Sequence, residues 1–421
     1  MSIRTKFKYL INITGLGSGY YLKNGLWVAI RQLVGFITGL VFSVAFARLA
    51  SSEVFGNYQL VISIIATLAI LSIPGLNTSI IQSTARGFDG SYIRSVRISF
   101  LWSLLGVPAL LVIGAYYYYF QGHAVGMALM VSSVFFPFLY APNTWDAFFQ
   151  GKELFRLSTI YSLIQAIINT AAMVAVLIIW KNNLIAITLL YLSSLGLFNI
   201  LWYQRSKRRV TNTNVDKSTL SYGWFLTKIG ILETLSSQMD RIIVGIYFGP
   251  KELAVYSIGM TVARKIYDLV KSFLALASPR ISRSNTVSSI KYLKIFIATA
   301  FLAVILIVLF PFIIPLLYSE KYHESVILSQ LSIAFLPFFV LHSLYSTHVY
   351  LFLRNRLVIA INSVVTPFVY TGLMIVFILT WGITGLALFS GFFYIVRLLI
   401  YLLLTRCVKQ KTPKPNTRPG L

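Results

Sequence analysis

Seven basic and three acidic side chains fall inside stretches of this 421-residue sequence that are otherwise apolar. The basic ones are Arg31, Lys228, Arg241, Arg264, Lys265, Lys271 and Arg397, and the acidic ones are Glu233, Asp240 and Asp268. A charge facing lipid at mid-depth costs roughly 2.5–3.5 kcal/mol, so seven cations would cost on the order of 20 kcal/mol. They are tolerable only where they face water, face one another, or snorkel to an interface. Arg264 and Lys265 fall near the middle of their stretch, where snorkelling is hardest. Arg264, Asp268 and Lys271 follow i, i+4, i+7 on one helix face, so a structural ion pair between Arg264 and Asp268 is as good a reading as a ligand site. Glu233 and Asp240, seven apart, also share a face. Arg31 lies about 7–8 Å from mid-depth at the helical rise. No acid shares its stretch, which favours a cavity role. Arg397 is read as packing or snorkelling, and Lys228 and Lys271 lie close enough to one side to snorkel. The surplus of positive charge suits an anion, and phosphate best of all, since Arg binds it bidentately and Lys as a point charge. The first half of the chain carries no acid inside its apolar stretches, with Asp146 placed at a helix end, so a pump for organic cations is disfavoured.

The elements that must position these residues are membrane helices. The chain is 57% hydrophobic and 11% charged, against about 25% charged in ordinary soluble domains, and its mean hydropathy is +0.78. This predicts an all-α polytopic membrane protein. The apolar stretches place about twelve spans at 25–47, 58–80, 96–120, 125–149, 156–180, 184–204, 223–247, 254–279, 293–317, 326–352, 357–380 and 383–405. The longest connection, 205–222, holds only 18 residues, so no extramembrane domain is expected and chemistry must happen in the helix bundle. The first apolar stretch is too long for a signal-peptide h-region. A single cysteine, Cys407, excludes a disulfide framework. No phosphate-binding glycine loop is present. His342 and His348 are six apart, and His123 and His323 fall in loops, so neither a metal site nor a catalytic residue is expected. A membrane polymerase or glycosyltransferase would need a larger loop or acidic catalytic residues there.

The net charge of +25 would suggest nucleic acid in a soluble protein, but its placement gives topology instead. With the N-terminus inside, 25 of the 36 Lys and Arg residues fall on the cytoplasmic side, and only Arg48, Lys181, Lys251 and Lys321 fall outside. An even number of spans puts the C-terminus inside as well. Trp180, Trp202, Trp224 and Trp381 sit near predicted interfaces as anchors. The chain divides into a cytoplasmic segment 1–24, an N-lobe 25–204, a basic linker 205–222, a C-lobe 223–405 and a basic cytoplasmic tail 406–421. Pro108 and Pro137 in one half correspond to Pro311 and Pro337 in the other. Both fourth helices exit through short basic turns, Gln150-Gly151-Lys152 and Arg354-Asn355-Arg356. Parallel repeats of six spans are an arrangement of alternating-access transporters.

The segment Ala47-Arg48-Leu49 followed by Glu53-Val54-Phe55-Gly56-Asn57-Tyr58 resembles the first outer loop of Wzx-type polysaccharide flippases, of the multidrug/oligosaccharidyl-lipid/polysaccharide exporter superfamily. Ala50-Ser51-Ser52 replaces the Leu-Gly-Pro of that family's pattern. Asp240-Arg241-Ile242-Ile243-Val244-Gly245, then Gly249-Pro250-Lys251-Glu252 and Tyr256-Ser257, is similar to the family's seventh span and following loop, as is Gln150-Gly151 to the end of its fourth. The resemblance implies two six-helix lobes in a V around a cavity, translocating undecaprenyl-pyrophosphate-linked oligosaccharide across the bacterial inner membrane. Twelve spans favour an O-antigen or capsule repeat unit. On that footing Arg31, Arg264 and Lys265 hold the pyrophosphate, and Lys228 and Lys271 recruit it. Asp240, Glu233 and Asp268 tune those cations or couple H+ or Na+. The expected partners are the lipid-linked glycan, the lipid bilayer and other polysaccharide-assembly membrane proteins, with no nucleic acid and no cofactor. A cation-coupled multidrug exporter of the same superfamily is the alternative, and a membrane-embedded polymerase ranks below it.

Overall fold

The computed structural model describes residues 18–275, 289–348 and 356–409, and these contain helices and turns but no strand. Arg280, Arg283, the turn at Arg354 and Asn355, most of the segment 1–24 and the tail beyond Lys409 lie outside the described residues. The packing forms two compact units, Met1–Ile231 and Leu232–Leu421.

The first unit opens with α1 (Ser18–Leu49) and α2 (Ser52–Leu68), the latter capped by the Ser51 hydroxyl and extended by a 3-10 turn to Ser72. There follow α3 (Leu76–Ala85), α4 (Gly90–Ser103), α5 (Gly106–Phe120) and α6 (His123–Tyr140). A 3-10 turn at Pro142–Thr144 leads into the short α7 (Trp145–Gly151). Then come α8 (Phe155–Ile179), α9 (Leu184–Lys207) and α10 (Ser218–Tyr247), within which the division between the units falls. The second unit adds α11 (Pro250–Ala275), α12 (Ser289–Tyr318), α13 (Ser325–Ile333), α14 (Leu336–His348) and α15 (Arg356–Lys409).

Among the described residues the expected spans fall on helix, those at 254–279 and 326–352 being described only to Ala275 and His348, and the differences have local causes. The second span starts six residues early, at the Ser51 cap, and breaks at Ile73, whose φ of 57° is left-handed. The fourth span breaks where Pro142 removes an amide donor. The tenth is a pair of helices bent by 44° ahead of Pro337. The eleventh and twelfth form one continuous element interrupted at Gly382, whose φ of 60° and ψ of −137° suit glycine. Among the described residues eight helices are long and apolar enough to cross a membrane, nine counting the bent pair. The spans outside that number are α10 and α11, which carry the charges, and the division of α15 at Gly382.

Close backbone approaches fix α7 and α3. A Cβ at Gly151 would overlap the Thr84 hydroxyl and come within 2.7 Å of the Ile81 carbonyl oxygen. One at Gly75 would overlap the Gly223 carbonyl, and the Gly75 amide donates to Thr227 Oγ1 at 3.0 Å. Helix α7 also buries Phe148 and Phe149 completely. Phe148 stacks on Tyr92 at 4.6 Å, and the Tyr92 hydroxyl meets Ser206 Oγ at 2.7 Å. In the second unit α13 hydroxyls bind carbonyls of α11, Ser325 to Val255 at 2.8 Å and Ser329 to Gly259 at 3.0 Å. Gly151→Val should force α7 off α3 and destabilise the protein by about 1–3 kcal/mol. Thermal unfolding of the detergent-solubilised variant checks it, and an unchanged midpoint would contradict the packing described.

Candidate functional site

In the first unit the site is built on α1, α7 and α8. Arg31 of α1 reaches Asp146 of α7 with both guanidinium ends, Nη1 to Oδ1 and Nη2 to Oδ2, each at 2.9 Å. Arg31 Nη1 also donates to Ser158 Oγ at 2.9 Å. The Ser158 hydroxyl in turn donates to Asp146 Oδ1. Gln150, one helical turn after Asp146, donates to Oδ2 at 2.8 Å. The carboxylate is thus held by four hydrogen bonds, three of them from outside its own helix, in the bidentate geometry that gives Arg–carboxylate pairs their strength. Nearby, Thr159 donates to the Trp27 carbonyl at 3.1 Å and the Arg156 guanidinium lies 5.6 Å from the Trp27 ring, tying α8 to α1.

This pair corrects one expectation. The first half does place a carboxylate inside the bundle: Asp146, just after the 3-10 turn at Pro142–Thr144, is paired with Arg31 and its side chain is 19% exposed. Arg31 and Asp146 are 115 residues apart, so no helical spacing reveals the pair. The available signal was an acid in an apolar stretch after a Pro-Asn break, with Gln150 four residues on.

Beside the pair lies a cavity of about 400 Å³, within the range of roughly 300–1,000 Å³ usual for small-molecule sites. Its polar lining includes Asn77, Asn143, Gln150, Ser162, Gln165 and Asn169, while Ile81, Ala166 and Leu195 supply apolar wall. Trp145 also lines it, 2% exposed, with a buried indole N–H that has no partner. Sequence reasoning missed the amides because they carry no charge, although Ser162, Gln165 and Asn169 follow i, i+3, i+7 on one face of α8.

A second polar cluster staples the segment after α9 to the rest of the first unit. Asp89, fully buried, meets Lys152 Nζ at 2.6 Å. Its Oδ2 accepts from the Thr211 amide at 2.9 Å and the Thr211 hydroxyl at 2.8 Å. Asn212 donates to the Gly87 carbonyl at 2.9 Å, and Arg86 lies 3.6 Å from Asp216. Burial pushes the Asp89 carboxyl up, but the bonds from Lys152 and Thr211 outweigh it and hold it below the ordinary carboxylate value.

In the second unit Asp240 of α10 is 2% exposed and accepts on Oδ2 from Tyr256 Oη and Arg264 Nη2, both at 2.8 Å. Arg264 therefore pairs across to α10. Its side chain keeps 41% exposure. Asp240 Oδ1, Arg241 Nε, Arg397 Nε and His342 Nδ1 are buried without a hydrogen-bond partner. The Arg397 guanidinium lies 5.4 Å from the Phe393 ring. Lys265 and Asp268 have partners within the protein. Glu233, Asp268 and Lys271 are exposed, so Glu233 and Asp240 meet different surroundings despite their shared face. Lys228 is exposed on the part of α10 belonging to the first unit. Among the described residues no group of acids, histidines or cysteines could hold a metal ion.

A family model described as polysaccharide biosynthesis protein matches residues 21–285. No curated protein matches the chain in sequence. Its fold is similar to an inward-facing multidrug resistance MATE family transporter of the MOP superfamily, with a TM-score of 0.64 and 13% identity over 93% of this chain and 100% of that one. It is similar to the lipid II flippase MurJ in an inward closed conformation, with a TM-score of 0.60 and 14% identity over 91% of this chain and 87% of that one. A Vibrio cholerae MATE transporter matches with a TM-score of 0.55 and 11% identity, over 97% and 99% of the two chains.

Two outcomes follow from the geometry. Arg31→Ala strands the Asp146 charge and should destabilise the protein by about 1–3 kcal/mol, and adding Asp146→Asn should recover most of the loss in thermal unfolding. At Asp89 the folded pKa lies below the unfolded one, so its contribution is complete above the unfolded value, near 3.9, and is lost as pH falls through the folded value. Hydrogen exchange at the Thr211 amide should accelerate over that acid range in the wild type, and Asp89→Asn should abolish the dependence.

Proposed function

The chain belongs to the polysaccharide biosynthesis protein family, and from that premise we propose that it is a flippase. Its cargo is an undecaprenyl-pyrophosphate-linked oligosaccharide repeat unit, carried from the inner to the outer leaflet of the bacterial cytoplasmic membrane for O-antigen or capsule assembly. The observation that carries this reading is that the family match, residues 21–285, contains both intramembrane charge clusters, Arg31–Asp146 and Asp240–Arg264. A chain that spans a membrane keeps such groups only where they face protein or a hydrated path. A polysaccharide precursor supplies cargo that is anionic at its phosphates and hydroxyl-rich beyond them.

The pyrophosphate is assigned to Arg264 and Lys265, with Lys228 and Lys271 as exposed cations that draw it in. Asp240, Glu233 and Asp268 set the charge of those cations or take up a coupling H+ or Na+. Both termini face the cytoplasm, where the basic residues gather. An inside-negative potential favours outward movement of an anion by about 2.3 kcal/mol per charge per 100 mV. The fold is shared with multidrug transporters, but the two carboxylates least exposed among the apolar helices, Asp146 and Asp240, are each engaged by an arginine rather than left for a cationic cargo. Glu233 and Asp268 are exposed.

In a strain lacking the protein, lipid-linked repeat units should accumulate on the inner leaflet and surface polysaccharide should be lost. The wild-type gene should restore export. Arg264→Glu should not, at an equal level of membrane-inserted protein. Normal surface polysaccharide in the deletion strain overturns the reading, and drug sensitivity in its place would favour the multidrug exporter.

A further inference from the structure

The charge of the first unit's cavity separates it from the cations assigned to pyrophosphate. Its one guanidinium, Arg31, is matched by the Asp146 carboxylate in a closed bidentate pair. The remaining polar lining is amide, hydroxyl and indole. An anion entering there would have to compete with a carboxylate already in place and would meet no surplus positive charge. A neutral polyhydroxylated group meets what it needs, because a hydroxyl is donor and acceptor at once and a side-chain amide offers both in return.

The wiring of the amides supports the same ligand. Gln165 donates its Nε2 to Asn199 Oδ1 at 3.2 Å, which leaves its carbonyl oxygen for the cavity. Asn169 accepts from the Ser194 hydroxyl with its carbonyl, which leaves its amino group. Asn199 is itself fixed by donation to the Leu139 carbonyl at 2.8 Å. One end of each of these two amides is therefore anchored, and the other is left for a ligand. Asn77 and Asn143 are exposed, and hydrocarbon is excluded as their surroundings, since an amide there is costly. The Trp145 side chain adds an aromatic surface to the wall. Ile81, Ala166 and Leu195 provide the apolar patch against which the C–H face of a pyranose ring packs.

We infer that this cavity is a sugar-recognition site for one uncharged hexose or acetamido-hexose residue of the cargo, with Arg31–Asp146 as a neutral hydrogen-bonding pair at its rim. The inference rests on the flippase reading for its cargo and deepens it by giving the glycan a site separate from the phosphates. It also makes the protein selective, since an acidic sugar would have to displace Asp146 from Arg31.

Saturation-transfer NMR on the full-length protein in lipid nanodiscs tests it with four probes: glucose, N-acetylglucosamine, glucuronate and inorganic pyrophosphate. At least one of the neutral sugars should bind the wild type. Glucuronate should not bind, and pyrophosphate should not displace the neutral sugar. Asn77→Ala and Asn143→Ala remove exposed side chains without packing roles, so the fold is retained. Each should weaken sugar binding about two- to tenfold, the worth of a neutral hydrogen bond. Arg264→Glu should leave sugar binding unchanged. Absence of binding by both neutral sugars, equal binding by the asparagine variants and the wild type, or displacement by pyrophosphate each overturns the inference. The flippase reading is judged separately: accumulation in the deletion strain without sugar binding removes the site alone, and sugar binding without accumulation removes the flippase alone.

Discussion

A guanidinium and a carboxylate placed among apolar helices must be satisfied inside the protein or by water, and that requirement organises the first unit. Arg31 comes from the first helix, Asp146 from a seven-residue helix after a break, and Ser158 from the helix that follows. No two of these elements can shift without exposing a charge. The desolvation cost of such a pair is large, and bonds to every remaining acceptor are what make it tolerable. Gln150 and Ser158 supply those bonds. The pair thus adds specificity of arrangement more than net stability, and its neutrality decides what the adjoining cavity can hold.

The same requirement explains why the short helix is where it is. Gly151 lets its end lie against the backbone of α3, and Phe148 and Phe149 are fully buried along it. Its start follows from the 3-10 turn at Pro142–Thr144, where Pro142 supplies no amide donor and the α-helical hydrogen bonding of α6 ends.

Hydropathy locates the helices because burial in lipid demands long uncharged runs, and even the division at Gly382 falls between two apolar stretches. It is weaker on breaks within a span. The left-handed Ile73 and the bend ahead of Pro337 come from backbone geometry that composition averages away. Charges were legible as types but not as partners. Arg264 shares a helix face with Asp268, yet it pairs with Asp240 from a neighbouring helix, because side chains across a helix interface approach as closely as those one turn apart. The amides went unread for lack of charge: Gln165 and Asn169 share one face of α8 at a spacing of four, but Asn77 and Asn143 come from other elements and only the fold gathers them around one cavity.

The two units treat charge differently. Beside the cavity of the first, one cation is closed off by one anion, and neutral groups form the walls. In the second, Arg264 shares its carboxylate oxygen with Tyr256 and keeps two-fifths of its side chain exposed, while the Nε groups of Arg241 and Arg397 lie buried without hydrogen-bond partners. A buried carboxylate oxygen, Asp240 Oδ1, is also left over there. Buried polar atoms without partners are costly, and among the described residues of the second unit three belong to charged side chains. A lipid-linked saccharide carries both kinds of group, phosphates that need cations and sugars that need neutral donors and acceptors. Dividing these demands between separate environments avoids the competition that one mixed site would impose, where every carboxylate placed to hold a hydroxyl would also repel a phosphate.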